Sequence, residues 1–404
     1  MHEFNSLRSS TLRIMATSAL IFICYFTIGL QLAVVPGFVH LRLGYTPVIA
    51  GLAISAQYVA TLLSRPRAGR TADEVGAKRT TCLGLLACGA SGVVFTTSAL
   101  LRESPSACMG VLLVSRLLLG FGESWVATGA TIWGMGRVGS AHTAQVISWA
   151  GIASYGALAT GAPIGLWLEN TVGFAAIGTA SVVAAVVGFS AALTISGIPI
   201  VAGNELPFGR VLRRILPYGL SLALGGIGFG TIATFTTLYY ASRNWNNPGL
   251  TLGLFGAAFV ASRLLFVGTI NAWGGFRVAI VSLAVECSGL LLLWLGTVPS
   301  AALMGAALSG FGFALVFPAL GVEAVRKIPA RSLGSALGTY TAFIDLSMGL
   351  SGPIAGFIVS SLGYPPIFLF GVVMTAMSAL FVMAMSRKQA VVQPHMTEQT
   401  PAFS

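Results

Sequence analysis

The sequence predicts an all-α membrane protein of twelve transmembrane helices in two pseudo-symmetric six-helix halves, with both termini cytoplasmic. Three observations predict it. Charge is too scarce to cover a soluble surface, apolar runs of spanning length recur along the chain, and short segments of the first half return in the second.

Only 8% of the 404 residues are charged, while 55% are hydrophobic. A soluble domain carries about 25% charged residues because its surface faces water, so most of this surface faces lipid. The 50 glycines agree, since small residues let helices approach closely in a bilayer. A net charge of +11 could suggest nucleic-acid binding, but the basic residues lie between apolar runs and form no patch of their own. Cys24, Cys82, Cys88, Cys108 and Cys287 have neither metal-ligand nor redox spacing. They read as small buried hydrophobes, and neither a metal site nor a cofactor is expected. The first apolar run lacks a small-residue cleavage site and reads as a retained helix.

A span needs roughly 20 mainly apolar residues. Twelve runs qualify: 14–40, 46–64, 80–101, 107–134, 144–168, 172–197, 215–241, 250–270, 278–298, 301–325, 333–361 and 365–386. Lysine and arginine concentrate on the cytoplasmic side of such proteins. With the N-terminus inside, only Arg42, Arg102 and Arg243 fall outside and Arg116 lies within a span, which leaves 18 of the 22 basic residues inside. The longest interior polar break, 198–214, separates a first half (1–197) from a second (215–386). The tail 387–404 has no apolar periodicity and is expected to be disordered.

The halves repeat. Ser64-Arg65, Gly76 and Arg79 match Ser262-Arg263, Gly274 and Arg277 at an offset of 198, and Asp73 falls on Asn271. Gly120-Phe121-Gly122 matches Gly310-Phe311-Gly312 at an offset of 190, which also carries Pro163 onto Pro353. Each proline lies in a glycine-rich run (Gly161 and Gly165; Gly352 and Gly356) that reads as a helix-packing motif. Transporters built from repeats place the substrate near the midplane between them.

The segment after the second span carries Gly69, Asp73, Gly76, Lys78 and Arg79. Glycine permits a tight turn, an aspartate can dock on a helix N-terminus, and a basic pair anchors to headgroups, which supports the cytoplasmic gate that the following resemblance implies. This spacing resembles the loop signature of the major facilitator superfamily. Arg116 with Gly120 and Gly122 resembles the buried-arginine motif of its proton-coupled members. Gly151, Gly156, Gly161, Pro163 and Gly165 are similar to the glycine-proline motif of its exporters, with Ala162 interrupting the expected Gly-Pro pair. The runs 63–70 and 317–322 resemble the bacterial YhhS group of the drug:proton antiporter branch. The resemblance implies a twelve-helix facilitator fold, a multi-pass bacterial cytoplasmic membrane protein, and proton-coupled export of a small molecule by a monomer.

An ionisable group at a helix centre costs about 2.5–3.5 kcal/mol on insertion scales, so each needs a reason. Asp345 sits mid-span with small residues on its face (Gly338, Thr341, Gly349, Gly352) and is the first candidate proton carrier; Glu123 is the second. Arg116 is the one basic residue expected at comparable depth, leaning away from Glu123 toward another helix. At the offset of 190, the residue in place of Asp345 is Tyr155. Glu286 is expected to form a structural pair in a peripheral span, and Glu323 an interfacial one with Arg326 or Lys327. Gln31, Gln57, Tyr58, Trp125, Trp149 and Tyr340 are candidate cavity-lining residues.

Uptake of a sugar or other small metabolite by proton symport would use the same fold with the opposite coupling direction, and the sequence separates the two poorly. An integral-membrane enzyme would need a catalytic constellation, and no paired acid–base carboxylates, metal-spaced histidines or nucleophile elbow occur. A channel would need a filter, and a sensor a soluble domain; neither is found. The expected partners are therefore a small-molecule substrate, protons and lipid.

Overall fold

The computed structural model describes residues 2–139, 142–199, 208–326, 328 and 333–392. These residues form twelve long helices: α1 (His2–Leu32), α2 (Pro47–Glu74), α3 (Ala77–Leu100), α4 (Pro105–Val138), α5 (Thr143–Thr171), α6 (Ala175–Thr194), α7 (Phe208–Ser242), α8 (Gly249–Phe266), α9 (Gly275–Leu295), α10 (Pro299–Val325), α11 (Leu333–Leu362) and α12 (Pro366–Val392). Eleven are long and apolar enough to cross a membrane. The twelfth, α5, is long enough at 29 residues, but its apolar run is diluted by Gly151, Ser154, Tyr155, Gly156 and Thr160.

Local sequence explains the ends. Pro47, Pro105 and Pro299 open α2, α4 and α10, where a missing N–H costs nothing and φ is preset. Gly76 and Gly274, equivalent at the offset of 198, adopt φ of 103° and 83° and admit the sharp turns that begin α3 and α9.

Three expected boundaries move. Helix α2 continues through Pro66 to Glu74, ten residues past its apolar run, so Arg65, Gly69 and Asp73 are helical rather than in a loop. The central break is shorter than 198–214, because α7 already starts at Phe208, and residues 200–207 lie outside the described residues. Helix α12 continues to Val392, into the expected tail, of which 393–404 lie outside the described residues. Helix dictates these extensions because a segment leaving lipid still has to satisfy its backbone groups, and charged side chains can do so in a helical turn facing water. Lys327 and Arg331, counted among the inner cations, also lie outside the described residues.

The two halves pack alike. In the first, α3 packs on α4 and α6, α4 on α2, and α5 on α1; in the second, α9 packs on α10 and α12, α10 on α8, and α11 on α7. The glycine pair detected in sequence makes matched contacts. A Cβ on Gly120 would strike the Gln57 carbonyl, and one on Gly310 the Phe255 carbonyl. A Cβ on Gly122 would meet Gly84 and Cys88, and one on Gly312 would meet Ser282 and Glu286. Each pair of struck residues is again offset by 198. Helices α3 and α6 turn large apolar side chains outward, among them Leu83, Leu86, Val93, Val183 and Val186, as lipid-facing helices do.

Between the halves, α2 packs on α11 and α5 on α8. Gly51 of α2 lies against the Gly352 carbonyl, and a Cβ on Gly356 would sit 2.7 Å from the Pro47 carbonyl. On the other seam a Cβ on Gly249 would lie 3.0 Å from Pro163 Cα. Thr237 of α7 adds a hydrogen bond to the Ala33 carbonyl at 2.7 Å. All of these ties lie toward the end with few basic residues, so the halves are closed at the outer end.

Glu286 corrects an expectation. Neither oxygen of this fully buried carboxyl has a hydrogen-bond partner among the described residues, where a structural pair was expected. It occupies the repeat position of Cys88, wedged against Gly228 and Gly312. An unsatisfied buried polar group costs about 1–3 kcal/mol. Glu286→Met is therefore expected to raise stability by about that amount, read as a higher thermal unfolding midpoint in detergent. An unchanged or lower midpoint would show the carboxyl to be satisfied.

Orientation is checked by single cysteines at Arg102, Arg243 and Arg79, all exposed. The first two are expected to react with an impermeant thiol reagent applied to intact cells, and the third only after permeabilisation. Labelling of position 79 from outside would reverse the topology.

Candidate functional site

A cavity of about 210 Å³ lies between the halves, walled by α1, α2, α4, α5, α7, α8, α10 and α11. Every wall residue from α2, α5, α8 and α11 sits on the arginine-rich side of the glycine contacts described above. By loop charge, this is the cytoplasmic side. Its surface is mainly aromatic and aliphatic. Tyr155 stacks on Phe259 with centroids 3.7 Å apart, and Phe229 stacks on Phe313 at 6.0 Å.

Four ionisable side chains of opposite sign enter this apolar wall: Arg65, Glu123, Arg263 and Asp345. Asp345, 3% exposed, accepts from Nε and Nη2 of Arg65, the latter at 2.9 Å. A planar guanidinium facing both carboxylate oxygens is the strongest geometry such a pair has. It joins α2 to α11, and so one half to the other. Glu123 has no arginine on its carboxyl. Its Oε2 accepts from Gln57 Nε2 at 2.8 Å and lies 3.0 Å from the Thr61 hydroxyl.

Arg263 is the repeat mate of Arg65 but has no carboxylate. Its Nε donates to the Ala314 carbonyl at 3.0 Å, and its guanidinium lies 5.1 Å from the Phe259 ring centre. Nη1 has no partner among the described residues, and the side chain packs against Gly151 of α5, where any Cβ would strike it.

Arg116 lies outside this wall. Fully buried, it donates Nη1 to Gln31 Oε1 at 3.1 Å, with Nε and Nη2 unpartnered among the described residues. The expectation that it alone shares the depth of Asp345 is thus corrected. Arg65 and Arg263, counted among the inner-face cations, turn into the cavity: α2 continues past its apolar run and carries Arg65 in helix, and Arg263 lies inside α8, packed against Gly151 of α5. The matched Ser-Arg pair in the repeat was the available signal for both.

Of the expected cavity residues, Tyr58 lies in the wall. Gln31 and Gln57 stand behind it, holding Arg116 and Glu123. Trp125 packs on Phe121 at 4.4 Å, the Tyr340 hydroxyl donates to the Phe317 carbonyl, and Trp149 is outside the wall. Gly161 of the packing motif approaches Phe26 and Gly29 of α1, while Pro163 meets Gly249 of α8, the counterpart of Gly352 against Gly51 of α2. Phe229, Phe259 and Phe313 carried no signal, since phenylalanine in a span is ordinarily packing, and Tyr155 was marked only as the repeat counterpart of Asp345. The described residues hold no cluster suited to a metal ion.

A two-half helical bundle with charges buried at its seam is the architecture of a carrier, and the family model named Major Facilitator Superfamily matches residues 17–275 and 249–402. The chain belongs to this superfamily. It is 53% identical over 382 residues, covering 95% of this chain and 94% of the relative, to an uncharacterized MFS-type transporter of Burkholderia mallei (strain SAVP1). An uncharacterized MFS-type transporter of Pseudomonas aeruginosa (strain UCBPP-PA14) is 50% identical over 378 residues, with 94% of each chain covered. Among solved structures, the human organic anion transporter TETRAN aligns with a TM-score of 0.73 at 17% identity, covering 92% of this chain and 99% of that one. A D-xylose-proton symporter aligns with a TM-score of 0.76 at 13% identity, covering 91% and 97%. At such identities these structures share the fold.

In this superfamily member the segment after α2 is a two-residue turn, Val75-Gly76, between long helices. Lys78 Nζ donates to the Leu193 and Ile195 carbonyls at 2.8 Å each, capping the end of α6 instead of reaching for headgroups. Asp73 is exposed with no partner among the described residues. Asp73→Asn is expected to leave thermal stability within about 0.5 kcal/mol, as for surface changes generally, yet to slow turnover. Equal turnover at matched expression would reduce the segment to a turn.

Proposed function

We propose that this superfamily member is a secondary transporter of the drug:proton antiporter type, exporting a small organic molecule across the bacterial cytoplasmic membrane as a monomer. It works by alternating access, with Asp345 and Glu123 as the proton-handling carboxylates and Gly69 to Arg79 as the cytoplasmic gate. One observation carries this reading: an ion pair between the halves, Arg65–Asp345, shares its cavity with a second, unpaired carboxyl, Glu123.

Chemistry links these groups to movement. A proton placed on Asp345 removes the charge that Arg65 holds, and the tie between α2 and α11 loses most of its strength. Those helices also form the outer closure at Gly51 and Gly352, so the same seam that exchanges a proton must part for the outer face to open. Glu123 offers a second proton station behind the same cavity. The glycine-proline run of α5, lying where α5 meets α1 and α8, supports the export direction by its resemblance to the exporter motif.

The test is transport in proteoliposomes under an imposed pH gradient. Substrate is expected to move opposite to protons, and a protonophore to stop it. Movement with the protons would make the protein a symporter; movement indifferent to the gradient would remove proton coupling.

A further inference from the structure

The two repeated arginines are not treated alike. Arg65 is neutralised by Asp345, and Glu123 is held by Gln57 and Thr61. Arg263, 2% exposed, faces the same cavity with Nη1 unpartnered. Its other contacts are one backbone carbonyl and the faces of Phe259 and Phe317, at 5.1 and 6.0 Å. An isolated charge in an apolar wall is strongly unfavourable unless a counter-charge completes it. No carboxylate of the wall supplies one. On α5 the backbone beside the guanidinium is Gly151, which leaves the arginine room but offers no charge.

Around this arginine the wall is suited to a flat apolar body. Tyr155, Phe229, Phe259 and Phe313 form a continuous set of ring contacts, with centroid separations from 3.7 to 6.3 Å. The volume of about 210 Å³ is below the roughly 300–1,000 Å³ of drug-sized pockets, so the solute held here is small.

We propose that the transported substrate is a small amphiphilic organic anion, its carboxylate bound by Arg263 and its ring or hydrocarbon body lying among Tyr155, Phe229 and Phe313. A forked guanidinium matches a carboxylate in two hydrogen bonds, and the neighbouring rings exclude the water that would weaken them. The assignment rests on the transport reading above for its direction, but not for the binding site itself.

Binding by purified protein in nanodiscs tests it, with phenylacetate, phenethylamine and phenethyl alcohol as probes of nearly equal shape and different charge. Calorimetric titration is expected to show phenylacetate binding, with the amine and the alcohol at least about tenfold weaker. Arg263→Gln should weaken phenylacetate about ten- to hundredfold, the range for a hydrogen bond to a charged group, and Arg263→Lys should restore part of it. Gly151→Val, which displaces the guanidinium without touching its charge, should also weaken it. Preference for the amine or the alcohol, equal binding of all three, or no binding by a wild type that unfolds cooperatively, would overturn the proposal. So would full phenylacetate affinity in Arg263→Gln. Specific binding at Arg263 without gradient-driven movement of phenylacetate would leave the anion site standing and sink proton-coupled export.

Discussion

Asp345→Asn is expected to abolish pH-gradient-driven transport while sparing substrate binding. The substitution is nearly isosteric, and its amide oxygen still accepts one hydrogen bond from Arg65, so the seam between α2 and α11 keeps its packing. What disappears is the ability to exchange charge for a proton. Uphill accumulation in proteoliposomes should fall to the level of protein-free vesicles, whereas downhill exchange of substrate persists. Deleting one partner of a buried pair destabilises by about 3–5 kcal/mol because a charge is left alone. Asp345→Asn, which keeps one hydrogen bond from Arg65, should lose part of this stability, and Asp345→Ala most of it as well as coupling. The double variant Arg65→Gln with Asp345→Asn removes both charges. It should regain most of the stability lost by Asp345→Ala and none of the coupling. Uphill transport at the wild-type rate by Asp345→Asn would remove this carboxylate from the proton path.

The fold was legible in the sequence because bilayer constraints act on composition. Scarce charge, runs of spanning length and the one-sided distribution of arginine each follow from the cost of placing polar groups in lipid. The repeat was legible through glycine. Gly120 and Gly310 have matched spacing because each lets a neighbouring backbone carbonyl come within contact distance. Asp345 and Glu123 stood out for the same reason as the spans did: a carboxylate in an apolar run is costly and needs a role.

The partners of these carboxylates were hidden. Arg65 lies 280 residues from Asp345, and only the packing of α2 on α11 brings them together. Arg65 falls just past its apolar run and Arg263 near the inner end of its own, so counting loop charges placed both at the inner surface. The continuation of α2 and the packing of α8 on α5 placed them in the cavity instead. Arg116, central in its apolar run, was the more conspicuous arginine, yet α1 meets it with Gln31 and leaves it behind the wall. The aromatic surface was hidden because a span full of phenylalanine gives no sign of which ring faces the seam.

Glu123→Gln is expected to remove coupling as thoroughly as Asp345→Asn, and with a smaller loss of stability. The Thr61 hydroxyl lies 3.0 Å from three acceptors: the carbonyls of Gln57 and Gly120, and Oε2 of Glu123. A hydroxyl has one proton to donate and lone pairs to receive another. When Glu123 is a carboxylate, Thr61 donates to it. When Glu123 carries a proton, Thr61 turns to a backbone carbonyl and accepts from it. Both protonation states are therefore satisfied without movement of a helix, which is what a proton station within a packed seam requires. In Glu123→Gln the new amide oxygen still accepts from Gln57, so the fold keeps this contact, but no proton is exchanged. Thr61→Ser retains the turning hydroxyl and should transport near the wild-type rate. Thr61→Val keeps the shape and deletes the hydroxyl, and gradient-driven turnover should fall about tenfold, the equivalent of one hydrogen bond to a charged group. Initial rates of all three variants against an imposed pH gradient decide the matter. If Glu123→Gln still accumulates substrate uphill, Asp345 handles the proton alone, and equal rates for Thr61→Ser and Thr61→Val would deny the hydroxyl any part in it.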